Sequence, residues 1–379
     1  MENNNLFRVD DIKVDMPTKV LSNNEPRIAV IGVGGGGCNM VNHIINQGSH
    51  KIDLIVANTD LQALHSSKAP KKIELGPKLT KGFGAGMNPE IGRDSAIESY
   101  EEIKAVLEGT EIVFVASGLG GGTGTGAAAI IAKAAKEVGA LTVCVVTKPF
   151  SWEGKKRAGL ANLGLEELKK VSDSLIVIPN EKLNEVVDVD LTFKNAFAIV
   201  DNVLYQAVIG MSEVILNPGH SDINTDFADV KTIMKHRGVA LMGIGKAKGE
   251  NSAQRALEDA INSPLLDKVP LEGAKGILIH FNMSPEITLF AISEVMNTIH
   301  DKLEQNADII FGTTTDKTLD KDEIKVTIIA TGFESKNEDK ESLSDSVEDH
   351  EVNSVPIDSE NYLDTPPLMR DYIVQYPLK

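Results

Sequence analysis

The sequence predicts an α/β chain: a parallel sheet covered by helices, then one long helix, then a smaller α+β domain. Three observations predict it. Short apolar, β-branched runs alternate with stretches of helical spacing over residues 28–179. The stretch 193–216 steps apolar residues by three or four through Phe193, Phe197, Val200, Leu204, Val208, Met211 and Ile215. Beyond it the order changes, with strand-like runs at 239–245, 276–282, 307–314 and 323–333 around helical stretches at 252–262 and 285–303.

Taken in order, residues 1–26 are polar, carry Pro17 and Pro26, and read as a flexible arm. IAVIGV (28–33) is apolar on both faces, as a buried parallel strand must be. GGGG (34–37) reads as a turn, and 38–47 as a helix through Met40, Val41, Ile44 and Ile45. Strands follow at 53–57, 111–116, 141–146 and 174–179, with helices at 125–138 and 155–171. NPG (217–219) ends the long helix, and a further helix starts near Phe227. The expected partition is an arm 1–26, a first domain 27–192, a central helix 193–219 and a second domain 220–333. Between Glu334 and Asp364 there are eleven acidic and two basic residues, too polar to offset chain entropy, so 334–361 is expected to be a disordered linker. Residues 362–379 turn apolar again.

Composition limits the function. The 379 residues are 42% hydrophobic and 25% charged, an ordinary globular balance. A net charge of -17 argues against a dedicated nucleic-acid or anionic-membrane binder. No apolar run approaches the ~18 residues of a spanning helix, and the N-terminus lacks the pattern of a secretory signal. Two cysteines, Cys38 and Cys144, exclude a disulfide scaffold and suit a reducing cytoplasm.

Chemistry is concentrated in glycine at the C-terminal ends of predicted strands, where a parallel sheet opens its ligand crevice. Residues 32–37, GVGGGG, fit G-x-G-x-x-G, but so rich a tract fits many patterns and also suits a tight strand–helix turn. Residues 120–126, GGGTGTG, are harder to assign to packing. Bare backbone and small hydroxyls are what a loop around a polyphosphate requires. No G-x-x-x-x-G-K-[ST] occurs, which excludes a P-loop NTPase. A nicotinamide-binding Rossmann domain, with Asp53 or Asp60 as its ribose acid, leaves the second loop unexplained.

GGGTGTG, together with Asn58-Thr59-Asp60, Gly84-Ala85-Gly86-Met87-Asn88, Lys148-Pro149-Phe150 through Glu153 to Arg157, Ile178-Pro179-Asn180 and Asn224-Thr225-Asp226-Phe227-Ala228-Asp229, resembles the tubulin/FtsZ GTPase family over about residues 27–333 and again at the C-terminus. The resemblance implies a Rossmann-like GTPase domain joined by a central helix to a smaller α+β domain. It also implies a bacterial cytoskeletal GTPase that polymerises head to tail for cell division, in the cytoplasm at the mid-cell division site.

The same resemblance assigns residues. Gly35, Gly36, Gly37 and Asn39 would line the phosphates and base side. Gly121, Gly122 and Thr123 would hold the β- and γ-phosphates, and the loop with Ala85 and Gly86 would sense the γ-phosphate. Glu153 would accept from ribose hydroxyls beside Arg157, and Asn180 and Asp201 would read guanine. Asn58, Asp60 and Phe197 complete the nucleotide-binding set. Cys38 is included as a thiol close to the phosphates, although its position reads more readily as that of a small buried residue. Read without the family, Glu153 and Arg157 are also an ordinary i,i+4 pair and Asn180 a turn residue. Asp226 and Asp229, with Asn224, would act as catalytic residues on the neighbouring subunit's GTP. Two carboxylates beside a triphosphate repel it unless they arrive after binding. Mg²⁺ would be held through the phosphates, with no protein metal site. Residues 362–379, including Asp364-Thr365-Pro366-Pro367-Leu368-Met369-Arg370, would dock membrane-tether and division-regulator proteins, without insertion into the membrane by the chain itself.

Overall fold

The computed structural model describes residues 26–48, 51–185, 193–216, 227–235, 239–263, 271–303 and 307–333. The expected arm, catalytic residues Asn224 and Asp226, acidic linker and terminal peptide lie outside them. Ten strands form one sheet in the order β3-β2-β1-β4-β5-β6-β7-β10-β8-β9. The first six are parallel: β1 (Ile28–Val33), β2 (Asp53–Asn58), β3 (Lys71–Glu74), β4 (Ile112–Gly118), β5 (Leu141–Lys148) and β6 (Ser174–Pro179). Order 3-2-1-4-5-6 is the doubly wound arrangement, whose crevice opens where the winding reverses, between β1 and β4.

Alternation along the strands builds two cores. Ile28 and Val30 of β1 and Phe114 of β4 face α1 (Gly34–Gln47) and α8 (Phe193–Leu216). Ala29, Ile31 and Val115 face the other way, against α5 (Tyr100–Leu107), α6 (Thr123–Glu137) and α7 (Lys155–Val171). The small residues of α6, among them Ala127, Ala128, Ala132 and Ala135, are buried and let that helix lie close to the sheet. Short helices α2 (Leu61–Ser66), α3 (Pro77–Thr80) and α4 (Pro89–Glu98) fill the β2–β4 crossover.

The second half is not a detached sheet. β7 (Val239–Lys248) joins β6 through Leu175↔Val239 and Ile176↔Ala240, then runs antiparallel to β10 (Glu323–Thr331). β10 pairs antiparallel with β8 (Gly276–Met283), which pairs parallel with β9 (Asp308–Thr315). α10 (Ser252–Ile261) and α11 (Leu289–His300) cover one face. The other receives α8, where Gly210 brings the helix against Met242 and Thr327. α9 (Phe227–Met234) ends at the start of β6, the Ser174 hydroxyl donating to Met234 O at 2.7 Å.

Three expectations are corrected. GGGG is the first turn of α1 rather than a loop before it, and α6 begins at Thr123. α11 begins at Leu289, four residues later than periodicity suggested, because Thr288 caps it by accepting from Ala291 N. The edge strand β3, KKIE, has no apolar run to announce it.

Candidate functional site

The C-terminal ends of β1, β2, β4, β5 and β6 converge on one face of the sheet edge, and the two glycine tracts meet there backbone to backbone. Gly34, at φ +70°, lies so close to α6 that a Cβ on it would sit 2.8 Å from Gly124 N. A Cβ on Gly36 would lie 3.2 Å from Gly118. Such close packing accounts for much of the glycine. A Cβ on Gly37 would strike Ala116 O, one on Gly124 would reach Ser117 Oγ at 2.6 Å, and one on Gly126 would strike Pro89 O. Gly35, Gly86 and Gly121 differ: nothing lies within 4 Å of the Cβ position on any of them. The second tract therefore does two jobs, close packing at Gly122, Gly124 and Gly126 and an open cradle at Gly121, and the expectation that packing could not explain it is half right.

Helix ends supply the charge. α1 and α6 both start without a side-chain cap and without an acid in the first turn. The first four N–H groups of a helix have no intrahelical acceptor, and its dipole favours an anion there. Two neighbouring helices close theirs: Asp60 Oδ1 accepts from Gln62 N and Ala63 N on α2, and Asn88 Oδ1 from Glu90 N on α4. Asn39 is exposed on α1 beside the open amides.

Several expected residues shape the cradle from within. Asn58 is buried, its Oδ1 accepting from Thr59 N and Asp60 N and its amide donating to Cys38 Sγ at 3.8 Å. Cys38 sits in the core with its thiol against Gly32 O and the Asn58 amide, and burial pushes that thiol up to about 11, so it stays protonated. Its side chain is part of the core beneath α1. Ala85 is buried against Gly122, where a Cβ would meet Ala85 Cβ at 2.8 Å, so Ala85 offers only backbone. Gly120 N donates to Thr125 Oγ1 at 2.8 Å, which closes the loop on itself.

The far end of the crevice holds the other residues expected from the sequence. Glu153 Oε1 accepts from Phe150 N at 2.9 Å, and Oε2 pairs with Arg157 at 2.5 Å. Ser151 N donates to Glu181 Oε2, which ties this turn to the end of β6. Phe150 stacks on Trp152 at 5.2 Å and meets Phe197 of α8 edge-on at 5.9 Å. Asn180 is buried with its Oδ1 unpartnered, a cost a bound ligand would relieve. On α8, burial raises the Asp201 carboxyl to about 6. An unpartnered acceptor and a desolvated carboxylate suit a ring presenting adjacent N–H donors, as guanine does. Thr59, part of the Asn58-Thr59-Asp60 motif but not among the expected site residues, is fully buried and shares a 2.6 Å hydrogen bond with Thr123. Among the described residues, no group of three or more His, Cys, Asp or Glu is placed to hold a metal.

A doubly wound sheet with two bare helix N-termini over a glycine cradle defines a nucleotide-binding protein of the tubulin-like class. Residues 27–188 match the model of the tubulin/FtsZ family GTPase domain, and residues 238–334 that of the FtsZ family C-terminal domain. The chain is 45% identical over 337 residues to cell division protein FtsZ 2 of Rhizobium meliloti (strain 1021), covering 89% of this chain and 96% of that one. A solved FtsZ dimer from M. jannaschii is 46% identical, with a TM-score of 0.76 over 82% of this chain and 90% of that chain. CetZ2 from Haloferax volcanii shares the fold at 18% identity, with a TM-score of 0.69 over 82% of this chain and 94% of that one. The chain belongs to the FtsZ family of cell-division proteins, and its parallel-sheet half is a GTPase domain that binds guanine nucleotide.

Proposed function

We propose that the chain hydrolyses GTP only when assembled, each active site being split between two subunits that join head to tail. The observation that supports this is the position of α9. The nucleotide cradle lies at the C-terminal ends of the strands, whereas Met234 of α9 is bonded to Ser174, the first residue of β6. α8 leaves the cradle side at Phe197 and, at about 1.5 Å per residue, carries the chain roughly 36 Å over its length. Asp229 is exposed on α9, on the opposite end of the sheet from its own cradle. Carboxylates there are available to a neighbour's nucleotide and not to their own. Asp229, with Asp226 and Asn224, would polarise the attacking water. The open amides at Gly35, Gly36, Gly121 and Gly122 would hold the phosphates, whose oxygens would carry Mg²⁺ to offset their charge.

Such an interface does not close on itself, so it builds filaments. The M. jannaschii relative solved as a dimer supports self-association. Among the described residues no helix is long and apolar enough to cross a membrane. Filaments at a cytoplasmic mid-cell site would therefore be held by separate tether proteins that bind 362–379 through the 334–361 linker. Turnover per subunit measured against protein concentration tests the central claim. It should be near zero at low concentration and rise above a threshold; activity that stays flat on dilution below detectable polymer rules it out. Deleting 362–379 should leave turnover unchanged and abolish co-sedimentation with tether-coated vesicles.

A further inference from the structure

We propose that Thr59 is a positioning residue that aims the Thr123 hydroxyl at the terminal phosphate, and so sets the preference for triphosphate over diphosphate. This rests on the proposed placement of the phosphates. Thr59 follows the last residue of β2 and is fully buried, while Thr123 opens α6 and is half-buried. Their hydroxyl oxygens are 2.6 Å apart, and either atom can be the donor. Burial decides the direction. A buried hydroxyl proton needs an acceptor, and Thr123 Oγ1 is the one partner the Thr59 hydroxyl has among the described residues. Thr59 therefore donates and Thr123 accepts, which leaves the Thr123 proton free to point out of the protein at the mouth of the cradle.

The same residue holds the loop on the other side of that position. Thr59 O accepts from Gly84 N at 3.1 Å and from Thr80 Oγ1 at 3.3 Å, while Thr59 N is fixed on Asn58 Oδ1 at 2.9 Å. Gly84 leads directly into Ala85, which packs on Gly122, and into Gly86, whose outer face is open. One rigid residue thus sets both the Thr123 hydroxyl and the Gly86 backbone. These flank the end of the cradle away from the Glu153–Asn180 base side, where the last phosphate lies. A diphosphate does not reach that end.

Equilibrium binding of GDP and of GTPγS, with Mg²⁺ and below the assembly concentration, tests the proposal on the full chain. Thr59→Val keeps shape and removes the donor. It should weaken GTPγS by about tenfold, because the Thr123 hydroxyl loses the partner that aims its proton at the charged phosphate, and leave GDP within about twofold. Thr59→Ser should restore the preference. Where the valine chain melts early, Thr59→Ala, which adds no bulk, is read the same way. Equal weakening of both nucleotides, no weakening of either, or failure of serine to restore the ratio would overturn the assignment. Failure of the unmutated chain to distinguish GTPγS from GDP would overturn the phosphate placement along with it.

Discussion

Glu153 and Arg157 form a 2.5 Å ion pair across the break at Gly154 that precedes α7, and the other oxygen of the same carboxylate accepts the Phe150 N–H at 2.9 Å. The carboxylate is held by its own chain before any nucleotide arrives, and the remaining lone pairs on its oxygens face a fixed direction. A preorganised acceptor of this kind discriminates against a sugar that lacks the matching hydroxyls. The unmutated chain should bind GTP about tenfold or more tighter than 2′,3′-dideoxy-GTP. Glu153→Ala should bring the two affinities together, as read by competition against a fluorescent nucleotide. Arg157→Ala should blunt the preference less, since the backbone bond still orients Glu153. A Glu153→Ala chain with an undiminished preference would remove the ribose role.

A guanine contact at Asp201 would make the site sensitive to pH. Burial raises its carboxyl to about 6, and only the ionised form accepts from two guanine N–H donors. GTP affinity should hold steady above pH 6 and fall by about tenfold per unit below it, as the proton competes with the base. Stability of the nucleotide-free chain runs the opposite way. A carboxyl with a folded pKa above its unfolded value contributes stability below about 3.8, and loses it as pH rises through about 6. Asp201→Asn should therefore melt higher than the unmutated apo chain at pH 7, less so at pH 5, and bind GTP weakly without a pH trend. A thermal melt series with and without nucleotide checks both signs.

The buried parallel strands were legible because each is a short apolar run, and the long helix because its stripe continues for 24 residues. KKIE at β3 was not, since an edge strand needs no apolar run: Lys72 faces solvent and Lys71 pairs with Asp53. GGGG looked like a turn because glycine disfavours helix, but close packing of Gly34 on Gly124 and Gly37 on Ala116 overrides that propensity. In the site, the glycine tracts were visible as patterns, yet which glycines face a ligand was not, because packing and ligand glycines look identical in sequence. Thr59 lay inside a motif already selected, but its partner is 64 residues away. Cys38 stands between Gly37 and Asn39 in the sequence, and only the structure shows that its side chain packs into the core.

That division of labour among the glycines is separable by experiment. Gly126→Ala places a methyl group on Pro89 O, where α6 crosses α4, and should cost about 1–3 kcal/mol of stability. Gly121→Ala meets nothing within 4 Å and should melt like the unmutated chain. Its methyl group would instead occupy the space left for phosphate, so GTP binding should fall while the fold is kept. Comparable melting losses in the two variants, or normal binding by Gly121→Ala, would contradict the separation.

Placement of Asp229 across the sheet from its own cradle yields a complementation test. Asp229→Ala keeps a complete nucleotide cradle and removes an exposed side chain, so it should fold and bind GTP normally. On the proposed role of that acid in polarising water, turnover should drop by about a hundredfold or more. Asp201→Ala keeps the α9 acids and loses guanine recognition, so alone it should also be nearly inactive at neutral pH. In an equimolar mixture, the intact Asp229 of one variant can dock on the GTP held by the other and rebuild a working site between them. Phosphate release should then rise well above the sum of the separate samples, and the gain should disappear on dilution below the assembly threshold. A mixture no more active than its parts would place hydrolysis within a single chain, and an Asp229→Ala chain that turns over GTP normally would end the case for this carboxylate.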